Sequence, residues 1–507
     1  MSRDHAPKRD HAPLSGLETE YGLYVPEVEP SGLIDVSRAL VQALTGPHVS
    51  GWDYRWEDPC RDQRGFRVTE LARDPRDAQF DRPTTASTSD THANRVLSNG
   101  ARFYNDHGHP EYSTPECGSL ADLLAHNRAG DALVLECAQR RHGDQVAVYK
   151  NNTDYSGASY GAHENYLVAR DIPFERLCAV LVPFLVTRQL FAGAGKVGVE
   201  EEPSAAGQCP FQLSQRADFC TVELSVDTLT RRPIVNTRDE PHADPRRFRR
   251  LHVIVGDSNM SDYATALKIG TTQAVLDLCA REQAPLVELA DPVAAIKSIS
   301  RCQSWEWRVA LKDGQQVSAL EIQGMYLEAA RALDDEGDAD RRWVLREWEG
   351  TLAGLERDPM SLADRLDWVA KRKLLETFMD TEGLYWHCEV LQSLDLEYHN
   401  LNPEEGLARR LEAQGALRRM ADAAAVETAL TTPPPDTRAA VRGACVARWP
   451  AQVRSVCWSR VDFNGKDRVA LNLDDLVGRR LKGLAEAIAA AATPAELKSA
   501  IGGLSDG

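Results

Sequence analysis

The 507-residue chain is 43% hydrophobic and 27% charged, an ordinary balance for a globular protein with an ample core. Its net charge of -17 argues against a general nucleic-acid binder, because phosphate backbones attract basic surfaces. No apolar run approaches the roughly 20 residues a membrane span needs, and eleven scattered cysteines without a C-x-x-C pair suggest neither a disulfide framework nor a thiolate zinc site.

The N-terminus repeats R-D-H-A-P and has no apolar h-region, so residues 1–14 read as a disordered tail and the protein as cytoplasmic. Gly16 to Val25, G-L-E-T-E-Y-G-L-Y-V, alternates as a strand. Leu17, Thr19, Tyr21 and Leu23 fall on one face and Glu18 and Glu20 on the other. Two carboxylates pointing one way are trivial on a solvated strand, whereas on a buried face they need a cation such as Mg2+ between them. Residues 35–45 look helical. Trp52 to Phe66 then opens a long polar segment, and residues 51–98 read as a loop, either a lid beside a site or a plain insertion.

Asn99 to Glu116, N-G-A-R-F-Y-N-D-H-G-H-P-E-Y-S-T-P-E, is the richest stretch. At period two, Arg102, Tyr104 and Asp106 share a face where the apolar pattern gives way, and His107, His109 and Glu111 follow. A polar turn at Gly108 and Pro110 is the bland reading. Ser119 caps an expected helix to Arg140, and a strand returns at Gln145–Asn151. Lys150 to Tyr166 gathers glycines, amides and a histidine. Gly157 and Gly161 permit close backbone approach, and His163 and Asn165 share a face if the chain is extended there.

Residues 193–198, G-A-G-K-V-G, match G-x-G-x-x-G, but the following V-E-E-E-P-S-A-A-G cannot supply the helix a pyrophosphate requires, so a dinucleotide fold is rejected. Phe211 to Asp257 alternates as strands bearing Arg216, Arg238, His242 and His252, and an arginine on a strand beside a metal is a natural phosphate clamp. Ser258 or Ser261 caps a helix to about Glu282. Further helical patterns cover 318–380 and 403–420, with 367–375 as packing surface. T-T-P-P-P at 431–435 marks a boundary. The expected organisation is therefore a catalytic domain over 15–430 and a small C-terminal domain over 431–507, with one short strand around Val453–Phe463 and a terminal helical stretch from Leu481 to Ile501.

Paired carboxylates on one strand, Asp106 and Glu111 on another, a Gly/Asn-rich turn with His163, and strand arginines suit a metal-nucleotide site. His107 and His109 as zinc ligands of an amidohydrolase would leave the E-x-E strand and the arginines without a role. A binding module without chemistry would leave the density of acids unexplained.

The segments G-L-E-T-E-Y-G, N-G-A-R-F-Y-N-D-H-G-H-P-E-Y-S, Y-K-N-N-T-D-Y-S-G-A-S-Y-G-A-H-E-N-Y-L, F-Q-L-S-Q-R-A-D and R-P-I-V-N-T-R-D-E-P-H-A-D-P-R-R-F-R-R-L-H-V-I-V-G-D closely resemble one family. It is that of Dop, the deamidase and depupylase of the prokaryotic ubiquitin-like protein Pup, and its sister, the Pup ligase. The resemblance implies an α+β, glutamine synthetase-like (carboxylate-amine ligase) fold, a curved and mainly antiparallel sheet backed by helices. ATP (or ADP plus phosphate) and Mg2+ are the implied cofactors. Carried onto this sequence, it makes Glu18, Glu20, Glu111, His163 and His252 metal ligands, Arg216 and Arg238 nucleotide-phosphate contacts, and Tyr104 and Asp106 the catalytic pair. His107 and His109 become support.

D-H-G-H-P-E-Y-S and the start of the long loop resemble the hydrolase version, so the expected reaction is cleavage of a C-terminal Gln side-chain amide or a Pup-lysine isopeptide. The expected partners are Pup or pupylated proteins and a nucleotide, with no nucleic-acid polymer and no membrane. The first motif departs from the hydrolase's usual G-T-E-V-E-Y-G and from the ligase's G-I-E-T-E-F-G. The same metals could also serve a Pup-independent phosphatase or nucleotide hydrolase, or a Pup-protein ligase.

Overall fold

The computed structural model describes residues 13–29, 32–71, 93–200, 209–333, 338–386, 388–465 and 469–502. Most of the expected tail and residues 72–92 of the long loop lie outside the described residues. Leu14, assigned to the tail from sequence, is buried against Phe248 and Leu476.

Nine strands form the central sheet: β1 (Ser15–Glu20), β2 (His48–Val49), β3 (Arg95–Leu97), β4 (Arg102–Asp106), β5 (His109–Ser113), β6 (Ala162–Ala169), β7 (Val222–Ser225), β8 (Pro233–Asn236) and β9 (Phe248–Val253). Their spatial order is β7-β8-β9-β6-β1-β5-β4-β3-β2. Only the β7–β8 edge pair is parallel; the other seven pairings are antiparallel. This is the mainly antiparallel α+β architecture expected. Strand period decides what each face carries. In β1, Leu17 and Thr19 are buried while Glu18 and Glu20 remain partly open, and β6 alternates in the same way. The bland reading of a turn at Gly108 and Pro110 holds only for Gly108: β4 and β5 are joined through His107 and Gly108, both at positive φ, the two-residue loop whose twist suits a hairpin, and Pro110 lies within β5 opposite Asn105.

The apolar face of the sheet rests on two long helices, Phe174–Ala192 and Asp262–Ala280, that are buried nearly all round. Ser261 caps the second by accepting from the Ala264 N–H. Where β6 meets these helices, Glu164 is fully buried. The Arg188 guanidinium satisfies it with two donors at 2.7 and 2.8 Å, the planar fork that makes a buried carboxylate tolerable. Ala319–Ala332, Ala339–Arg357 and Asp367–Glu382 extend this helical layer, and Asp367 to Lys371 are buried in it as expected. The G-A-G-K-V-G stretch enters a two-stranded ribbon at Lys196–Val197, which pairs with Phe211–Gln212. Among the described residues, no helix is long and apolar enough to cross a membrane.

After the prolines, helix Arg438–Arg448 packs with a three-stranded sheet of β10 (Val453–Cys457), β11 (Arg460–Phe463) and β12 (Ala470–Asn472). The single strand expected at 453–463 is thus a hairpin, because Trp458 and Ser459 turn the chain. The terminal helical stretch is two helices, Arg479–Ala490 and Pro494–Gly502, interrupted where Pro494 prevents continuation. Glu116, just after β5, ties this region to the large sheet by ion pairs to Arg438 (2.6 Å) and Arg442 (2.7 Å). Residues 51–71 of the long segment pack rather than dangle: Trp52 pairs with Val456 and Asp62 with Arg238 through backbone bridges.

Candidate active site

Register across the polar face of the sheet assembles the site. Tyr104 on β4 lies opposite Glu111 on β5, and Glu111 lies opposite Glu20 on β1. One row away Glu18 lies opposite His163 on β6, and beyond it Asn165 lies opposite His252 on β9. Residues 16 to 252 in sequence thus become cross-strand neighbours.

They form two groups. Ligand atoms of Glu18, His163 and His252 lie within 4.8 Å of one another, and so do those of Glu20, Asp106 and Glu111. All five residues read as metal ligands are brought together, and Asp106 shares a carboxylate cluster with two of them. His163 stands between the groups. Its Nδ1 is 3.2 Å from Glu18, and a Cβ placed on Gly161 would meet His163 Nε2 at 2.3 Å and Glu20 Oε1 at 2.9 Å. Only glycine leaves that space. The Gly161 N–H donates to Glu20 at 2.8 Å.

Protonation follows from this crowding. Burial, and then the charges of Asp106, Glu18 and Glu20, push the Glu111 carboxyl well above its ordinary range. Burial also pushes on Glu18, but the His163 hydrogen bond and the cations beside it outweigh that and hold it well below the usual carboxylate range. Asp106 stays ionised, held at about 2, because His107, 3.1 Å away, and Arg102 outweigh its burial. Burial, Glu111 and Asp106 raise the Tyr104 phenol well above its usual value, so it keeps its proton. Burial and the Arg250 charge keep His252 neutral. Its Nδ1 faces Asn165 Oδ1 at 3.0 Å, an atom that can only accept, so Nε2 is left as the ligating nitrogen.

This donor set fits divalent cations. Three carboxylates crowded enough to force one toward neutrality are what a hard oxygen-seeking ion relieves, and the two imidazoles of His163 and His252 beside Glu18 suit a second.

The two arginines expected at phosphate are near by but not on strands. Arg216 precedes a short 3-10 turn and Arg238 follows β8. Arg216 is buried and Arg238 partly so, and both guanidinium groups are bonded to neutral acceptors: Arg216 to Ser159 Oγ and the Tyr160 carbonyl, Arg238 to the Val226 carbonyl and Thr228 Oγ1. Among the described residues neither has a carboxylate at ion-pair distance, which leaves both receptive to an anion. His107 and His109 are not in either cluster. His107 orients Asp106, and His109 stacks on Tyr160 at 4.5 Å.

Arg250 was not among the residues singled out from sequence. Its Nη1 reaches Asn165 at 2.9 Å and Glu18 at 3.4 Å. The signal was available: in R-R-L-H, Arg250 and His252 are two apart and share a strand face.

Comparison with known proteins gives a consistent picture. A family model described as Pup-ligase protein matches residues 13–462. The chain is 42% identical over 489 residues to the depupylase of Acidothermus cellulolyticus, covering 92% of this chain and 95% of that protein. It is 41% identical over 469 residues to the Pup deamidase/depupylase of Mycobacterium tuberculosis, covering 89% and 91%. A Pup--protein ligase from Kribbella flavida is 43% identical over 404 residues, covering 76% and 86%. Among solved structures, the crystal structure of the complex between Pup and its ligase PafA matches with a TM-score of 0.76 at 31% identity, covering 97% of this chain and 94% of that one.

Proposed function

Because this chain belongs to the Pup-ligase protein family, we propose that it is an ATP- and Mg2+-dependent amide hydrolase acting on Pup. It would release the side-chain amide of a C-terminal glutamine or cleave the isopeptide joining Pup to a substrate lysine. The observation that carries this choice is the extent of the sequence alignment: depupylase relatives align in sequence over about nine-tenths of this chain, and the ligase relative, at similar identity, over three-quarters, although the fold itself is shared with the ligase.

Glu20 and Glu111, with Asp106 beside them, would hold one cation and Glu18, His163 and His252 another; bound Mg2+ supplies positive charge to phosphate oxygens. Arg216 and Arg238 clamp the phosphate. Asp106, ionised at neutral pH, attacks the amide carbon or aligns the water or phosphate that does, and both roles need the carboxylate. Tyr104 keeps its proton and stands opposite Glu111, where its hydroxyl is available as a donor. Arg250 and Asn165 fix Glu18 and, through Asn165, the tautomer of His252.

The test uses the purified protein with Mg-ATP alone, with Mg-ATP and Pup ending in glutamine, and with Mg-ATP and a Pup conjugate. The reading expects ammonia from the second mixture and free substrate protein from the third. Fast phosphate release from nucleotide with neither product would replace it by a Pup-independent phosphatase or nucleotide hydrolase. Formation of conjugates from Pup ending in glutamate would replace it by a ligase.

A further inference from the structure

The Arg102 guanidinium carbon lies over the Tyr104 ring, 3.7 Å from its centroid, and over the Trp52 ring at 3.9 Å, so two aromatic rings sandwich it. The side chain is buried, and Tyr54 adds a third ring at 5.7 Å. A buried arginine this close to Glu111 and Asp106 would ordinarily turn its donors to them. Instead its Nε and Nη2 donate to Asn94 Oδ1 at 2.9 and 2.7 Å, and Nη1 stays 3.9 Å from Glu57. With its edge engaged by Asn94, what the guanidinium offers the site is its face, and that face rests on Tyr104.

Trp52 is held from outside the catalytic strands. The Asp53 N–H donates to the Val456 carbonyl at 2.9 Å, and the Val456 N–H to the Gly51 carbonyl at 2.8 Å. The Trp52 indole meets Trp458 edge-on at 5.3 Å and donates to Glu57 at 2.7 Å. The sandwich therefore runs from the C-terminal hairpin through Trp52 and Arg102 to Tyr104, which stands directly opposite Glu111 across the β4–β5 ladder.

We propose that Arg102 is a positioning residue: clamped by Trp52, it fixes the Tyr104 ring so that the hydroxyl is aimed at Glu111, which makes the segment beginning at Trp52 and the C-terminal hairpin part of the site's alignment. The identity of the assay substrate rests on the reading under Proposed function; the clamp itself does not.

The test is a double-mutant cycle in the full-length protein, read as turnover of the Pup amide and, separately, as Mn2+ affinity by calorimetry. Arg102→Lys keeps the charge but loses the flat face. It should lower kcat by about tenfold or more while KM for ATP stays within about twofold. In a Tyr104→Phe background, where the ring remains but nothing is left to aim, the same change should alter kcat by less than about twofold. Trp52→Phe should keep most of the rate and Trp52→Ala should behave like Arg102→Lys. Equal losses in both backgrounds, or a fall in Tm with kcat unchanged, would overturn the proposal and leave Arg102 a structural anchor. If the wild-type protein cleaves no Pup amide, the functional reading fails, and the Mn2+ cycle still decides. About threefold weaker binding that disappears in the Tyr104→Phe background supports the clamp, and no such dependence overturns it.

Discussion

Glu20 and Glu111 stand directly opposite each other across the β1–β5 ladder, two carboxylates at a position where a sheet ordinarily places an apolar or oppositely charged pair. Asp106 completes the cluster. Like charges so placed are destabilising unless neutralised: burial first, and then the charges of Asp106, Glu18 and Glu20, push the Glu111 carboxyl upward.

Mg2+ should therefore stabilise the fold. At about a hundred times its dissociation constant the gain is about 2.7 kcal/mol, seen as a rise in Tm against a chelator control. In chelator at neutral pH, Glu111→Gln should be at least as stable as wild type, because it removes the repulsion, and it should lose most of the response to Mg2+. A variant that responds to Mg2+ as wild type does would remove Glu111 from the metal set.

Gly161→Ala tests the space between the clusters. The added methyl meets His163 Nε2 and Glu20 Oε1 inside contact distance, so either ligand must move. We expect turnover to fall by about a hundredfold or more and Mg2+ affinity by about tenfold, with far-ultraviolet circular dichroism unchanged. Normal activity would show that neither His163 nor Glu20 is needed where the structure places it.

Asp106→Asn keeps the shape of the side chain and removes the charge. Turnover should drop by at least about a hundredfold while nucleotide affinity changes by less than about threefold, since Arg216 and Arg238 are untouched. Retained turnover would demote Asp106 to a structural role.

Glu116 gives the pH prediction. Burial alone would raise its carboxyl, but Arg442 and Arg438 outweigh burial and hold it at about 2 against an ordinary 4.5. Its folded value is depressed, so its stabilisation is fully present above about pH 4.5 and is lost as pH falls toward 2, a contribution on the order of 3 kcal/mol. Urea melts of wild type and Glu116→Gln should differ most at neutral pH and converge in acid. A difference that does not depend on pH would mean that the ion pairs contribute only shape.

Local sequence was enough to read the face of each strand, because strand side chains alternate whatever the strand pairs with. Glu18 with Glu20, Tyr104 with Asp106, and His163 with Asn165 were each legible in this way, and so was the Ser119 cap, whereas the choice of Ser261 over Ser258 came only with the structure. The segment motifs also carried the family. What alternation cannot supply is register, a property of two strands at once. That Glu111 meets Glu20 rather than Glu18, that Asp106 falls in the carboxylate cluster, and that Arg250 reaches Glu18 from β9 were settled only when the sheet closed. The same holds for Arg102: its place on the Tyr104 face could be counted along β4, but the Trp52 indole that covers it lies 50 positions earlier and is held there by the C-terminal hairpin. Only long-range packing could put an aromatic ring on the outer side of that guanidinium.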